Sequence, residues 1–98
     1  MNTSSGWLAT TSDEFKEGFV AGVAQSLMTT VVEPTLYGSQ FPKGYAQCMN
    51  NQTLIGLVGV VEAYMDQHPE TNTYDPAATA EMAFHAMCAP YLPKAPHQ

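Results

Sequence analysis

Cys48 and Cys88 stand forty residues apart, and the stretch between them reads as a helix, a break at His68-Pro69-Glu70 and a second helix. If the two cysteines join, the helices must run antiparallel, because only a helical hairpin returns residue 88 to residue 48. Two cysteines and no third suit an oxidising compartment, where one intramolecular bridge leaves no reactive thiol. The other reading is a pair of buried reduced thiols, since free cysteine is among the most buried residue types. The chain has 98 residues, which allows one domain with one core. A domain of this size buries only about 60–65% of its unfolded surface. A cross-link therefore matters: for a loop of about 40 residues the chain-entropy estimate is about 4 kcal/mol.

The remaining pattern is helical throughout. Thr11 followed by Glu14 is a capping-box pair, with Asp13 and Glu14 where the helix dipole favours negative charge. From there Phe15, Phe19, Val20, Val23, Leu27, Met28 and Val31 recur at steps of three and four, predicting a helix to about Val31. Gly18 and Gly22 within it each cost about 1 kcal/mol relative to alanine, which points to close approach of another helix. Glu33-Pro34 ends the segment, and Pro34, Gly38, Pro42 and Gly44 punctuate residues 33–47, which read as mostly connection. Tyr37, Phe41 and Tyr45, spaced by four, mark a short helix or three rings folded onto the core. A loop with a single turn is the preferred reading, and so long a loop is also a secondary site candidate. A second helix over 52–67 is capped by Asn50 or Asn51 and buries Leu54, Leu57, Val58, Val61, Tyr64 and Met65. His68-Pro69 closes it and a polar turn over 70–74 follows. Asp75-Pro76 then starts a third helix to about Met87, with Ala77, Ala80, Ala83, Phe84, Met87 and Cys88 on its narrow apolar face. Prolines at 90, 93 and 96 prevent a further regular element. The expected fold is all-α, a single-domain bundle of three to four helices over 1–98, with 1–11 and 89–98 as flexible ends around a docking Trp7 and Leu8.

Composition narrows the function. Three Lys/Arg against nine Asp/Glu give a formal charge of −6, which repels phosphate backbones, so no nucleic acid partner is expected. The same imbalance favours encounter with a basic protein surface. The most hydrophobic run, 54–61, is too short for a membrane span and carries two glycines. The residues up to Ser12 hold neither a basic leader nor an apolar run; the expectation is an exported protein whose leader has been removed. Catalysis needs converging acids, bases or nucleophiles. His85 and Cys88 lie three apart, half of a zinc site with Cys48 as third ligand, but there is no C-x-x-C pair or second nearby histidine, and a bridge would consume both thiols. His68 reads as a helix-end residue and His97 as part of the tail. Asp66 and Glu70 at a helix end read as solvated, and the methionines beyond Met1 as core filler. The expectation is a non-enzyme with no metal and no cofactor.

The order of features carries a family resemblance. Glu17-Gly18-Phe19-Val20-Ala21-Gly22-Val23-Ala24 is followed by Cys48, by Thr53-Leu54 leading to Val60-Val61-Glu62-Ala63-Tyr64-Met65, by His68-Pro69-Glu70, and by Pro76-Ala77-Ala78 with an alanine-rich helix ending at Cys88. Over roughly residues 14–88 this resembles the Rap/Tai immunity proteins, small periplasmic helical proteins that protect bacteria from type VI secretion effectors. It departs from the family's common Phe-Pro-Cys ending, since Met87 precedes Cys88. The resemblance implies a disulfide between Cys48 and Cys88, a periplasmic location, a tendency to dimerise, and an inhibitor that occludes the cleft of a peptidoglycan-cleaving amidase effector. Family members can present a protruding loop to the effector, and the polar turn with Glu70, Thr71, Asn72 and Tyr74 has the composition for it, tyrosine giving contact area at small entropic cost. The alternative from another class is a periplasmic holdase resembling the HdeA-type acid chaperones, also small, helical and built around one disulfide.

Overall fold

Among the described residues, each of the three longest helices begins on a short polar side chain. Ser12 Oγ accepts the backbone N–H of Phe15 at 3.2 Å, Thr53 Oγ1 that of Gly56 at 3.0 Å, and Asp75 Oδ1 that of Ala77 at 2.8 Å. Each satisfies a donor that the first helical turn leaves open. The computed structural model describes residues 3–9, 12–29 and 40–92, with 40–42 by backbone alone. Among these the helices are α1 (Ser4–Ala9), α2 (Asp13–Thr29), α3 (Gln40–Met49), α4 (Leu54–Gln67) and α5 (Pro76–Cys88), with 3₁₀ segments at Pro69–Thr73 and Ala89–Tyr91. The described residues contain no strand, and the fold is a small helical bundle.

α4 is the central element. Its Leu57, Val58, Val61 and Met65 are buried at helical spacing and meet Val20 and Ala24 of α2 and Ala80, Ala83 and Phe84 of α5 in one core. α2 and α4 run antiparallel: Lys16 near the start of α2 meets Glu62, while Met28 near its end shares a groove with Leu54. α5 returns along α4, and Cys88 is bonded to Cys48, with their Cα atoms 5.4 Å apart. No described helix is long and apolar enough to cross a membrane.

Several expectations are revised. The caps of α2 and α4 are Ser12 and Thr53 rather than Asn50, Asn51 or the Thr11 pair, Thr11 lying outside the described residues. Residues 40–49 form a helix, not a connection, with Tyr45, Cys48 and Met49 buried; Tyr37 and Val31 lie outside the described residues. The expected flexible end at 1–11 contains α1, whose Ser4 and Trp7 are completely buried, and Ala89–Tyr91 continues the chain as a 3₁₀ turn against α3. On the proposed apolar faces, Phe15 and Leu54 are instead exposed.

The glycines also change meaning. A Cβ built on Gly18 or Gly22 meets no neighbouring atom within 4 Å among the described residues, so no described helix packs closely against either. Close approach occurs at Gly44, where a Cβ would run into the Tyr91 carbonyl and lie 3.0 Å from the Leu92 side chain. Gly18→Ala and Gly22→Ala should therefore each stabilise the protein by about 0.5–1 kcal/mol through helix propensity, whereas Gly44→Ala should destabilise it by roughly 1–3 kcal/mol through overpacking. Urea unfolding of the three variants checks this; a destabilised Gly18→Ala would show that the open face is covered by something outside this fold.

Candidate partner-binding site

The turn between α4 and α5 is built from the inside out. His68 closes α4, its backbone N–H donating to Tyr64 O at 2.9 Å and Met65 O at 3.3 Å, and its ring stacks on Tyr64 with centroids 4.1 Å apart. Pro69 has no N–H to donate and opens the 3₁₀ segment. Thr71 is fully buried, and both its N–H and its Oγ1 donate to His68 O, at 2.9 and 2.7 Å. The Tyr74 N–H donates to Thr71 O at 2.9 Å. The segment is thus wound around one threonine.

α1 braces it from outside. The Ser4 backbone N–H donates to Tyr74 O at 2.8 Å, its Oγ reaches the same carbonyl at 3.1 Å, and Oγ shares a 2.7 Å hydrogen bond with Thr79 Oγ1 of α5. Both hydroxyls are buried, where an unpartnered polar group would be costly. α1 is itself anchored by Trp7, whose Nε1–H donates to Glu62 Oε2 at 3.2 Å and whose ring lies edge-on to Phe19, centroids 5.1 Å apart. The same Glu62 oxygen accepts from Lys16 Nζ at 2.6 Å. Lys16 is only 8% exposed because it occupies the arc of α2 that also holds Val20 and Ala24; it lies 5.9 Å from the Trp7 ring centre.

The four residues expected to face a partner divide by position. Glu70 and Asn72 are exposed, and Tyr74 is 39% exposed with its backbone carbonyl held by Ser4. Thr71 offers no side chain to a partner; it shapes the turn from within. His68 Nδ1 and Glu70 Oε2 are 3.4 Å apart on the surface, a contact of little energetic weight. The turn can therefore supply a carboxylate, an amide and a phenol on an immobilised backbone, chemistry suited to hydrogen bonding and contact area. Ser4, Thr79, Lys16 and Glu62 support the turn and were missed by pattern reading. A threonine on the buried face of an alanine-rich helix and a lysine on an apolar arc were the signals that could have found two of them.

A concavity of about 580 Å³ lies between α2, α3 and α4, at the opposite end of the bundle from the turn, lined by Ala24, Met28, Met49 and Leu57 with Gln25 and Gln52 among its polar groups. Among the described residues its lining holds no carboxylate, histidine, lysine or cysteine, so its size does not make it the chemically better-equipped site. Near it Tyr45 is buried, which pushes its phenol above the usual range, and the Glu81 carboxylate adds to that shift. Cys48 and Cys88, two of the three ligands of the zinc reading, are bonded to each other.

Because Ser4 and Thr79 satisfy each other, Ser4→Ala should destabilise the protein by about 1–2 kcal/mol, whereas Ser4→Ala with Thr79→Val should cost less than the sum of the two single changes. Urea midpoints of the four proteins in this cycle check it; additive losses would contradict the pairing.

The chain matches no protein-family model, no curated protein and no solved structure.

Proposed function

We propose that this protein is an immunity-type inhibitor that binds a peptidoglycan-cleaving amidase effector of type VI secretion in the periplasm and occludes its cleft, without catalytic activity of its own. The disulfide suits an oxidising compartment, and the ordered likeness to the Rap/Tai proteins suggests the partner. The observation that carries the reading is the bracing of the turn. Ser4 and Thr71 hold its backbone at both ends while Glu70, Asn72 and Tyr74 stay exposed.

That arrangement is what an inhibitor needs. Binding orders side chains and loops at an interface, and each ordered, rotamer-rich group costs about 0.5–1.5 kcal/mol. A turn already fixed in the free protein avoids most of the backbone part of this cost. Tyr74 has few rotatable bonds to restrict, and Glu70 and Asn72 offer an acceptor and an amide to the rim of a cleft.

The test is replacement of Glu70, Asn72 and Tyr74 together by alanine in the oxidised chain, followed by calorimetric titration with a peptidoglycan-cleaving amidase effector of type VI secretion. Affinity should fall by at least roughly 30-fold, the size of one strong hot spot, and amidase activity on peptidoglycan should return. Unchanged binding would remove the turn from the interface. No binding by the unaltered chain, together with suppression of client aggregation at low pH, would favour the holdase instead.

A further inference from the structure

The chain's charge is gathered at one end of the bundle, where α1, the start of α2, the end of α4 and the start of α5 meet. Of the eight carboxylate side chains among the described residues seven lie there, from Asp13, Glu14 and Glu17 on α2, through Glu62 and Asp66 on α4, to Glu70 and Asp75 on the turn. The single ammonium among them, Lys16, is buried against Glu62. The net charge of this end is −6, equal to the formal charge of the whole chain.

The same end carries exposed apolar side chains on rigid supports. Phe15 is 49% exposed and its ring stacks on Phe19 with centroids 6.4 Å apart, while Phe19 lies edge-on to the fully buried Trp7. Phe15 is thus the outer ring of a three-ring series rooted in the core. Leu8, 46% exposed, stands on α1 beside Trp7. An aromatic anchor held in place by packing and surrounded by polar groups is the arrangement of an interface hot spot.

We infer that this end, and not the turn alone, is a docking surface for a basic protein surface with an apolar socket for Phe15. Charge selects that occupant. A second copy of the chain would bring two ends of −6 together, and phosphate-bearing polymers or anionic lipid would be repelled. A basic partner is steered in by the carboxylates and then held by the aromatic anchor. The inference rests on the inhibitor reading only for the choice of one probe.

Two probes are titrated against the full oxidised chain: a peptidoglycan-cleaving amidase effector of type VI secretion, and cytochrome c as a basic protein unrelated to that reading. The variants lie outside the turn: Phe15→Ser, the triple change Asp13→Asn with Glu14→Gln and Glu17→Gln, and, at the other end of α4, Ile55→Ser. The triple change should slow association by about tenfold at low salt and much less at high salt. Phe15→Ser should speed dissociation by about tenfold, and Ile55→Ser should leave both rates within about twofold. Rates unchanged in Phe15→Ser with both probes, or no binding of either probe, would overturn the docking surface. Amidase binding that ignores both variants would overturn it while leaving the inhibitor reading intact. Variant-sensitive binding of cytochrome c without any amidase binding would support the surface and sink the reading.

Discussion

The bond between Cys48 and Cys88 is the constraint on which the rest of this bundle depends. It joins the end of α3 to the end of α5 and closes the helical hairpin of α4 and α5. Closing that loop removes conformational freedom from the unfolded chain. Both sulfur-bearing residues are buried beside Tyr45 and Met49, so the covalent link also sits within packed surface. Next to it Gly44 lets the chain at Tyr91 lie directly on α3. The bonded end is therefore tight.

The opposite end is held by hydrogen bonds and one ion pair. Glu62 draws Lys16 and Trp7 to a single carboxylate oxygen, and Ser4 ties α1 to Tyr74 and Thr79. These contacts tie α1 and α2, remote in sequence, to α4 and α5 on either side of the turn. One end of the molecule supplies stability through a covalent bond, and the other displays a shaped, acidic surface.

Signals confined to a few neighbouring residues were the legible ones. Asp75-Pro76 marked the start of α5 and His68-Pro69 the end of α4, because capping side chains and the missing proline N–H act locally. The cysteine spacing together with two intervening helices anticipated an antiparallel pair. α3 was not legible, since Pro42 and Gly44 read as breakers. Proline in a first helical turn removes no intrahelical bond, and Gly44 answers to Tyr91, a partner forty-seven residues away in the chain. Likewise, nothing near Ser4 announces Thr79. The turn as a candidate surface was legible from its polarity, but the inward placement of Thr71 and the bracing by α1 depend on contacts no local pattern encodes.

All of this places the disulfide at the base of the fold. Urea unfolding of the oxidised protein and of the protein held reduced by a thiol, followed by Trp7 fluorescence, tests that most directly. Stability should fall by about 4 kcal/mol on reduction, the chain-entropy value for a loop of this length, a loss comparable with a small domain's whole stability. Coincident unfolding curves for the two forms would contradict the account.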